Sequence, residues 1–149
     1  MQNLGPLDGR PACADAAPKS IHAFRTAVEA HDLYALGRSL APDVVFYPPI
    51  VDNPFRGRER TVAALTFAAT AFGFTDEFRY TSELRGGKAV ALFFETRIDG
   101  SFLEGVDHLL LDDDELVREL RITMRPISSM QKYVGFVREA IASGQLTNP

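Results

Sequence analysis

An α+β fold, with a strongly bent antiparallel sheet and helices gathered over one of its faces, is predicted by three observations. Apolar residues recur at helical spacing through the first half of the chain. From Phe74 onward the period changes to two. Tight-turn signals then join successive strands, and consecutive hairpins give antiparallel pairing with the helices on one side. A bent sheet with helices across its mouth makes a cone with an internal cavity.

The elements follow in order. Residues 1–18 hold Gly5, Pro6, Gly9, Pro11 and Pro18 without an apolar period. They read as an N-terminal tail ahead of a domain over 19–149, and whether the tail packs or stays mobile is left open. Ser20 is the expected cap of a first helix, with Ile21, Phe24 and Val28 on one face. Asp32 caps a second short helix carrying Leu33, Leu36 and Leu40, and Ala41-Pro42-Asp43 ends it. Val44 to Tyr47 is a β-branched and aromatic run, hence a strand, stopped by Pro48 and Pro49 because proline cannot donate to a ladder. After a loop from Ile50 to Gly57, Val62, Leu65, Ala69 and Phe72 mark a third helix.

Four strands come next: Phe78–Leu84, Lys88–Ile98, Phe102–Leu111 and Leu116–Arg125. Arg85-Gly86-Gly87, Asp99-Gly100 and the Asp112–Glu115 run turn them. Pro126 opens a last helix with Ile127, Met130, Val134, Val137 and Ile141 as its stripe. No internal repeat or linker divides the domain.

The bulk composition narrows the function classes. The chain has 149 residues, 46% hydrophobic and 24% charged, which suits one domain with a packed core. A net charge of −4 argues against phosphate-backbone binding, so no nucleic acid partner is expected. Cys13 is the single cysteine, which rules out an internal disulfide and suits a cytoplasmic location. No apolar run reaches the ~18 residues of a membrane span, so no membrane association is expected. No G-x-G-x-x-G or phosphate loop occurs, and no cofactor is expected. His22, His31 and His108 form no helical i, i+4 pair with an acid, and no metal site is expected.

Several local motifs together resemble the nuclear transport factor 2-like superfamily and, within it, the SnoaL-like group. They are Ala30-His31-Asp32-Leu33, Pro42-Asp43-Val44-Val45-Phe46, Gly57-Arg58-Glu59, Gly105-Val106-Asp107-His108 and Arg125-Pro126. They span about residues 20 to 142, and their order and spacing carry the likeness. The resemblance implies the cone-shaped fold. It leaves function open, because isomerases, cyclases, dehydratases and epoxide hydrolases share that fold, and only the site decides.

Tested against those chemistries, the residues fit two of them poorly. An isomerase of the ketosteroid type needs a carboxylate base, a tyrosine and a protonated aspartic acid. Asp107 stands where the resemblance puts the protonated acid, but the tyrosine position falls on Phe24 and the base position on Pro48. Neither can donate or accept the required proton. An epoxide-hydrolase site needs two aspartates joined by an arginine. Arg97-Ile98-Asp99 has the spacing, yet Asp99 reads as a hairpin tip and the second aspartate falls near Ile122.

Asp107 remains the candidate catalytic or anchoring residue. By analogy it points into the cavity, where desolvation raises the pKa of a carboxyl. A nearby donor such as Tyr47, or a buried water, is the structural alternative. The expected lining is Phe24, Leu36, Tyr47, Leu65, Phe94, Asp107, Leu120, Ile122 and Met124. His108 is expected on the opposite face, and Glu95 in a pair with Arg97 or Arg121. Arg56, Arg58 and Arg60 read as a solvated cluster, and Asp112–Glu115 as a turn rather than a calcium loop. An outer sheet face with Phe93, Glu95, Arg121 and Thr123 suggests a homodimer.

The leading expectation is a pocket that binds a small hydrophobic molecule. One alternative is an isomerase, dehydratase or hydrolase acting on a steroid-, terpenoid- or polyketide-like substrate with Asp107 in proton transfer. The other is a non-enzymatic dimeric scaffold.

Overall fold

A computed structural model describes residues 21–147. The predicted tail and the Ser20 cap lie outside the described residues. Helices α1 (Ala23–Glu29) and α2 (Leu33–Arg38) lead into strand β1 (Leu40–Tyr47). A two-residue strand β2 (Phe55–Arg56) precedes α3 (Arg58–Ala68) and a π turn (Ala69–Gly73). Strands β3 (Arg79–Gly86), β4 (Ala89–Ile98), β5 (Ser101–Leu111) and β6 (Val117–Arg125) follow, then helix α4 (Ile127–Ala142). The α+β class and the curved sheet with helices over one face are as the sequence predicts.

The six strands lie in the order β2-β1-β6-β5-β4-β3. All neighbours pair antiparallel except β1 and β6, which run parallel. That parallel pair is invisible in a list of hairpins. It arises because the chain pairs β2 with one edge of β1, builds α3 and the strands β3 to β5, and returns to the other edge of β1 with β6. Period-two alternation then sorts the side chains. Val90, Leu92, Phe94, Ile98, Leu103, Asp107, Leu109 and Leu120 are buried on the face beneath the helices.

Local chemistry sets the helix starts. His22 caps α1, and its Nδ1 accepts the Phe24 N–H at 3.1 Å. The ring's Nε2 lies 2.8 Å from the Glu115 carbonyl oxygen, so both nitrogens are used when Nε2 carries the proton. Ile21 consequently lies before the helix and is exposed. Asp32 caps α2 as expected, accepting the Ala35 N–H at 2.9 Å. Leu40 belongs to β1 rather than to α2.

The buried stripe of α4 is Ser129, Tyr133, Val137 and Ala140, so Ile127 is exposed instead of starting it. The Ser129 hydroxyl donates to the Phe102 carbonyl at 2.6 Å and fixes that rotation of the helix. A polar anchor of this kind shifts a stripe that apolar spacing alone would place one position away.

Candidate functional site

Asp107 lies in mid-β5, buried between the sheet and the helices. Its partner is Tyr80 of β3, whose Oη donates to Asp107 Oδ2 at 2.7 Å. Strand β4 separates the two, with Tyr80 opposite Phe94 and Leu92 opposite Asp107. Phe94 in turn lies opposite Gly105. A Cβ on Gly105 would sit 2.7 Å from Phe94 Cζ and 2.3 Å from the Thr123 carbonyl oxygen. Only glycine lets the Phe94 ring lean over β5 at this point.

A cavity of about 50 Å³ opens beside the pair. Its walls are Phe24 and Val28 of α1, Leu36 of α2, Leu65 and Ala68 of α3, the π turn with Phe72, and Phe74, Phe78, Phe94 and Ile122. Tyr80 and Asp107 supply its only polar side-chain atoms. The volume holds a few waters, at roughly 10–15 Å³ each by this measure. Sites for drug-sized ligands are larger, about 300–1,000 Å³, so a ligand of that size needs the walls to part.

One wall of the cavity is the π turn. The Phe74 N–H bonds the Ala69 carbonyl at 2.7 Å, closing an i to i+5 ring. Turns of this type occur often at functional sites. The turn is tied to the sheet by the Thr96 hydroxyl, which donates to the Phe72 carbonyl at 2.9 Å. On its far side the exposed His31 ring stacks on Phe74 at 4.7 Å.

The electrostatics follow from burial. Desolvation pushes the Asp107 carboxyl up to about 7, and the Tyr80 hydrogen bond pulls it partly back. Tyr80 is pushed well above its ordinary value, by burial first and by the Asp107 charge second. Near neutral pH the pair therefore holds a carboxyl that either donates or accepts, next to a phenol that keeps its proton.

Of the nine residues expected to line the cavity, Phe24, Leu36, Leu65, Phe94, Asp107 and Ile122 do so. Tyr47 does not. It lies on the outer face, with the Arg121 guanidinium 4.0 Å above its ring. Leu120 shares the inner face but packs in the core opposite Phe46 of β1. Met124 lies further along β6, opposite Gly105 and outside the cavity.

The donor for Asp107 is Tyr80, which sequence reasoning missed. The alternation Phe78-Arg79-Tyr80 was the available signal, since it sets Tyr80 on one face with Phe78. Placing it beside Asp107 needs the register of two strand pairs.

The other candidates take structural positions. Glu95 pairs with Arg79 at 2.7 Å, not with Arg97 or Arg121. The Arg97 guanidinium donates to the Gly100 carbonyl at 3.0 Å, and Asp99 sits at the hairpin tip with φ of 47°. Arg97 and Ile98 thus end β4 and Asp99 makes the turn, so Arg97 and Asp99 form no pair aimed inward. His108 lies on the outer face opposite Arg121. In the Asp112–Glu115 turn, Asp112 Oδ1 accepts the Asp114 and Leu116 N–H groups at 2.9 Å each. Among the described residues no three His, Cys, Asp or Glu side chains gather into a metal site, and no helix is long and apolar enough to cross a membrane.

Comparison with known proteins agrees with the fold. A family model described as a SnoaL-like domain matches residues 21–133. No curated protein matches the chain in sequence. Among solved structures, a steroid delta-isomerase from Pseudomonas aeruginosa is 30% identical with a TM-score of 0.73, over 80% of this chain and 87% of that one. An uncharacterized protein with a cystatin-like fold from Silicibacter pomeroyi is 25% identical with a TM-score of 0.75, over 83% and 89%. An NTF2-like protein of unknown function from Cytophaga hutchinsonii shares the fold at 16% identity and a TM-score of 0.57, over 71% and 87%. The chain belongs to the SnoaL-like domain family of the nuclear transport factor 2-like superfamily.

Proposed function

We propose that the cavity binds a small, mostly apolar molecule through one polar group held by Asp107 and Tyr80. The observation that carries this reading is the buried 2.7 Å Tyr80–Asp107 hydrogen bond at the edge of a cavity whose other walls are apolar. A buried carboxyl without a basic partner costs stability, and a ligand that completes its hydrogen bonding repays part of that cost. When protonated, Asp107 donates to a carbonyl. When ionised, it accepts from a hydroxyl.

A second reading is favoured by the same pair. Asp107 titrates near 7 with a phenol in hydrogen-bond reach, as suits a general acid or base. The steroid delta-isomerase likeness makes proton transfer on a steroid-, terpenoid- or polyketide-like substrate the natural form of that activity. Asp107 is the only carboxyl lining the cavity, so it would have to both remove and return the proton.

A thermal-shift screen tests both. Wild type, Asp107→Asn and Tyr80→Phe are heated with a graded series from phenol and cyclohexenone to steroid enones. A ligand at about 100 times its Kd adds roughly 2.7 kcal/mol, or about 5–10 °C for a chain of this length. The expected result is a shift in wild type that both variants lose, followed by turnover assays on the class that binds. Equal shifts in all three proteins overturn binding through the acid pair, and no shift in any overturns the pocket reading and leaves the scaffold.

We also propose that the outer face pairs with a second copy of this chain. Half-exposed Phe93 and Phe102 lie on it, and Thr81, Phe93, Val106 and Thr123 line a groove of about 350 Å³. Arg79, Arg121 and Arg125 alternate there with Glu95, Glu119 and Glu104. Such a mixed pattern is self-complementary under a two-fold axis. Light scattering at micromolar concentration then gives a dimer mass, and a monomer mass overturns the pairing.

A further inference from the structure

The strand that carries Tyr80 changes face halfway along. Tyr80 is opposite Phe94, and Ser82 is opposite Phe93, so Thr81 is an extra residue in β3. A bulge of this kind moves every later side chain to the other face. Beyond it Glu83 and Arg85 lie opposite the buried Leu92 and Val90, while Leu84 is exposed. Two charged side chains thus turn inward just beyond Tyr80.

Arg25 of α1 meets them. Its Nε donates to Glu29 Oε1 at 2.8 Å and its Nη1 to Glu83 Oε2 at 3.4 Å. Its guanidinium carbon stands 5.6 Å from the centre of the Tyr80 ring. The side chain is mostly buried, at 19% exposure. Arg85 Nε lies 3.2 Å from Glu83 Oε1 but is not aligned for a hydrogen bond, so Arg25 is the better-bonded partner of Glu83.

One cation therefore touches α1, the bulged strand and the face of the tyrosine. We infer that Arg25 is a positioning residue for the acid pair: it clamps α1 to β3 over the Tyr80 ring, and so fixes the hydrogen bond that Asp107 receives. The inference rests on the Asp107–Tyr80 pair of the proposed site, not on any particular ligand.

The charged and titratable groups near Asp107 are few. Tyr80, Glu83 and Arg85 come from β3, and Arg25 and Glu29 from α1. The other walls of the cavity, from α2, α3, the π turn, β4 and β6, contribute apolar side chains. Removing Arg25 takes away the Glu29 pair, leaves Glu83 with only the poorly aligned Arg85, and frees the tyrosine ring. These changes disfavour an ionised Asp107.

The test follows the Asp107 carboxyl by carbon NMR from pH 4 to 9, without ligand. Arg25→Gln is expected to raise the midpoint by about half a pH unit, roughly threefold in the equilibrium. Arg25→Lys keeps the charge but loses the fork onto two glutamates, and is expected to fall between wild type and the Gln variant. In a Tyr80→Phe background the Arg25→Gln shift is expected to shrink, because the effect passes through the phenol.

An unmoved midpoint in either folded variant, with only the melting temperature lowered, overturns the inference and makes Arg25 a structural clamp. An undiminished shift in the Tyr80→Phe background also overturns it, because Arg25 then acts by charge alone. A wild-type midpoint in the ordinary carboxylate range overturns the acid pair itself.

Discussion

The two faces of this sheet treat the same functional group in opposite ways. On the outer face Glu95, Glu104 and Glu119 each meet an arginine in contact with solvent: Arg79, Arg125 and Arg121. On the inner face Asp107 meets a neutral phenol and apolar walls. Each outer carboxylate has water and a nearby cation around it, and each pair adds little to stability. Burial without a cation leaves Asp107 balanced between its two forms near neutral pH. The fold thus keeps one costly acid inside the sheet and leaves the inexpensive ones in contact with solvent.

The largest effect that can break this contrast is on stability against pH. The unfolded Asp107 carboxyl releases its proton near 3.9, whereas the folded one holds it to about 7. The folded state therefore binds more protons between these values, and stability falls as pH rises through them. Over about three pH units this amounts to roughly 4 kcal/mol as an upper limit. Asp107→Asn still accepts the Tyr80 hydrogen bond and has no such slope. It is expected to match wild type near pH 4 and to be more stable by a few kcal/mol at pH 8. Denaturant unfolding at both pH values checks this, and parallel curves would show that Asp107 is not desolvated.

The smallest effect belongs to the other face. Glu104→Gln removes the partner of Arg125 where both side chains reach solvent. In the monomer, at protein concentrations too low for two copies to pair, it is expected to change stability by less than about 1 kcal/mol at either pH. A larger loss in the monomer, measured in the same unfolding experiment, would mean that the outer pairs are desolvated within a single copy, and would weaken the contrast between the faces.

Much of the fold was legible in the sequence because its signals are local. The hairpin at Asp99-Gly100, the Asp32 cap and the alternation along β4 and β5 all depend on near neighbours. The site was legible in part. Asp107 came from the family resemblance, which places it inside the cavity, and helical spacing brought Phe24, Leu36 and Leu65 to the same interior. Tyr47 was misplaced because one residue in a short strand decides its face, and its neighbour Phe46 took the inward position. Tyr80 was missed because its partner lies two strands away.

What the sequence determined by itself, then, is what period and turn chemistry control: the elements, their order and the mixed α+β class, with the buried acid on β5 supplied by the family resemblance. Tertiary structure alone decided which groups meet. The Thr81 bulge turns Glu83 and Arg85 inward and exposes Leu84, against the simple alternation of the strand. Gly105 admits the Phe94 ring, and β6 closes onto β1 in parallel. Each of these depends on register between strands distant in the chain. A one-residue slip costs nothing in local propensity, so only the packed sheet fixes it.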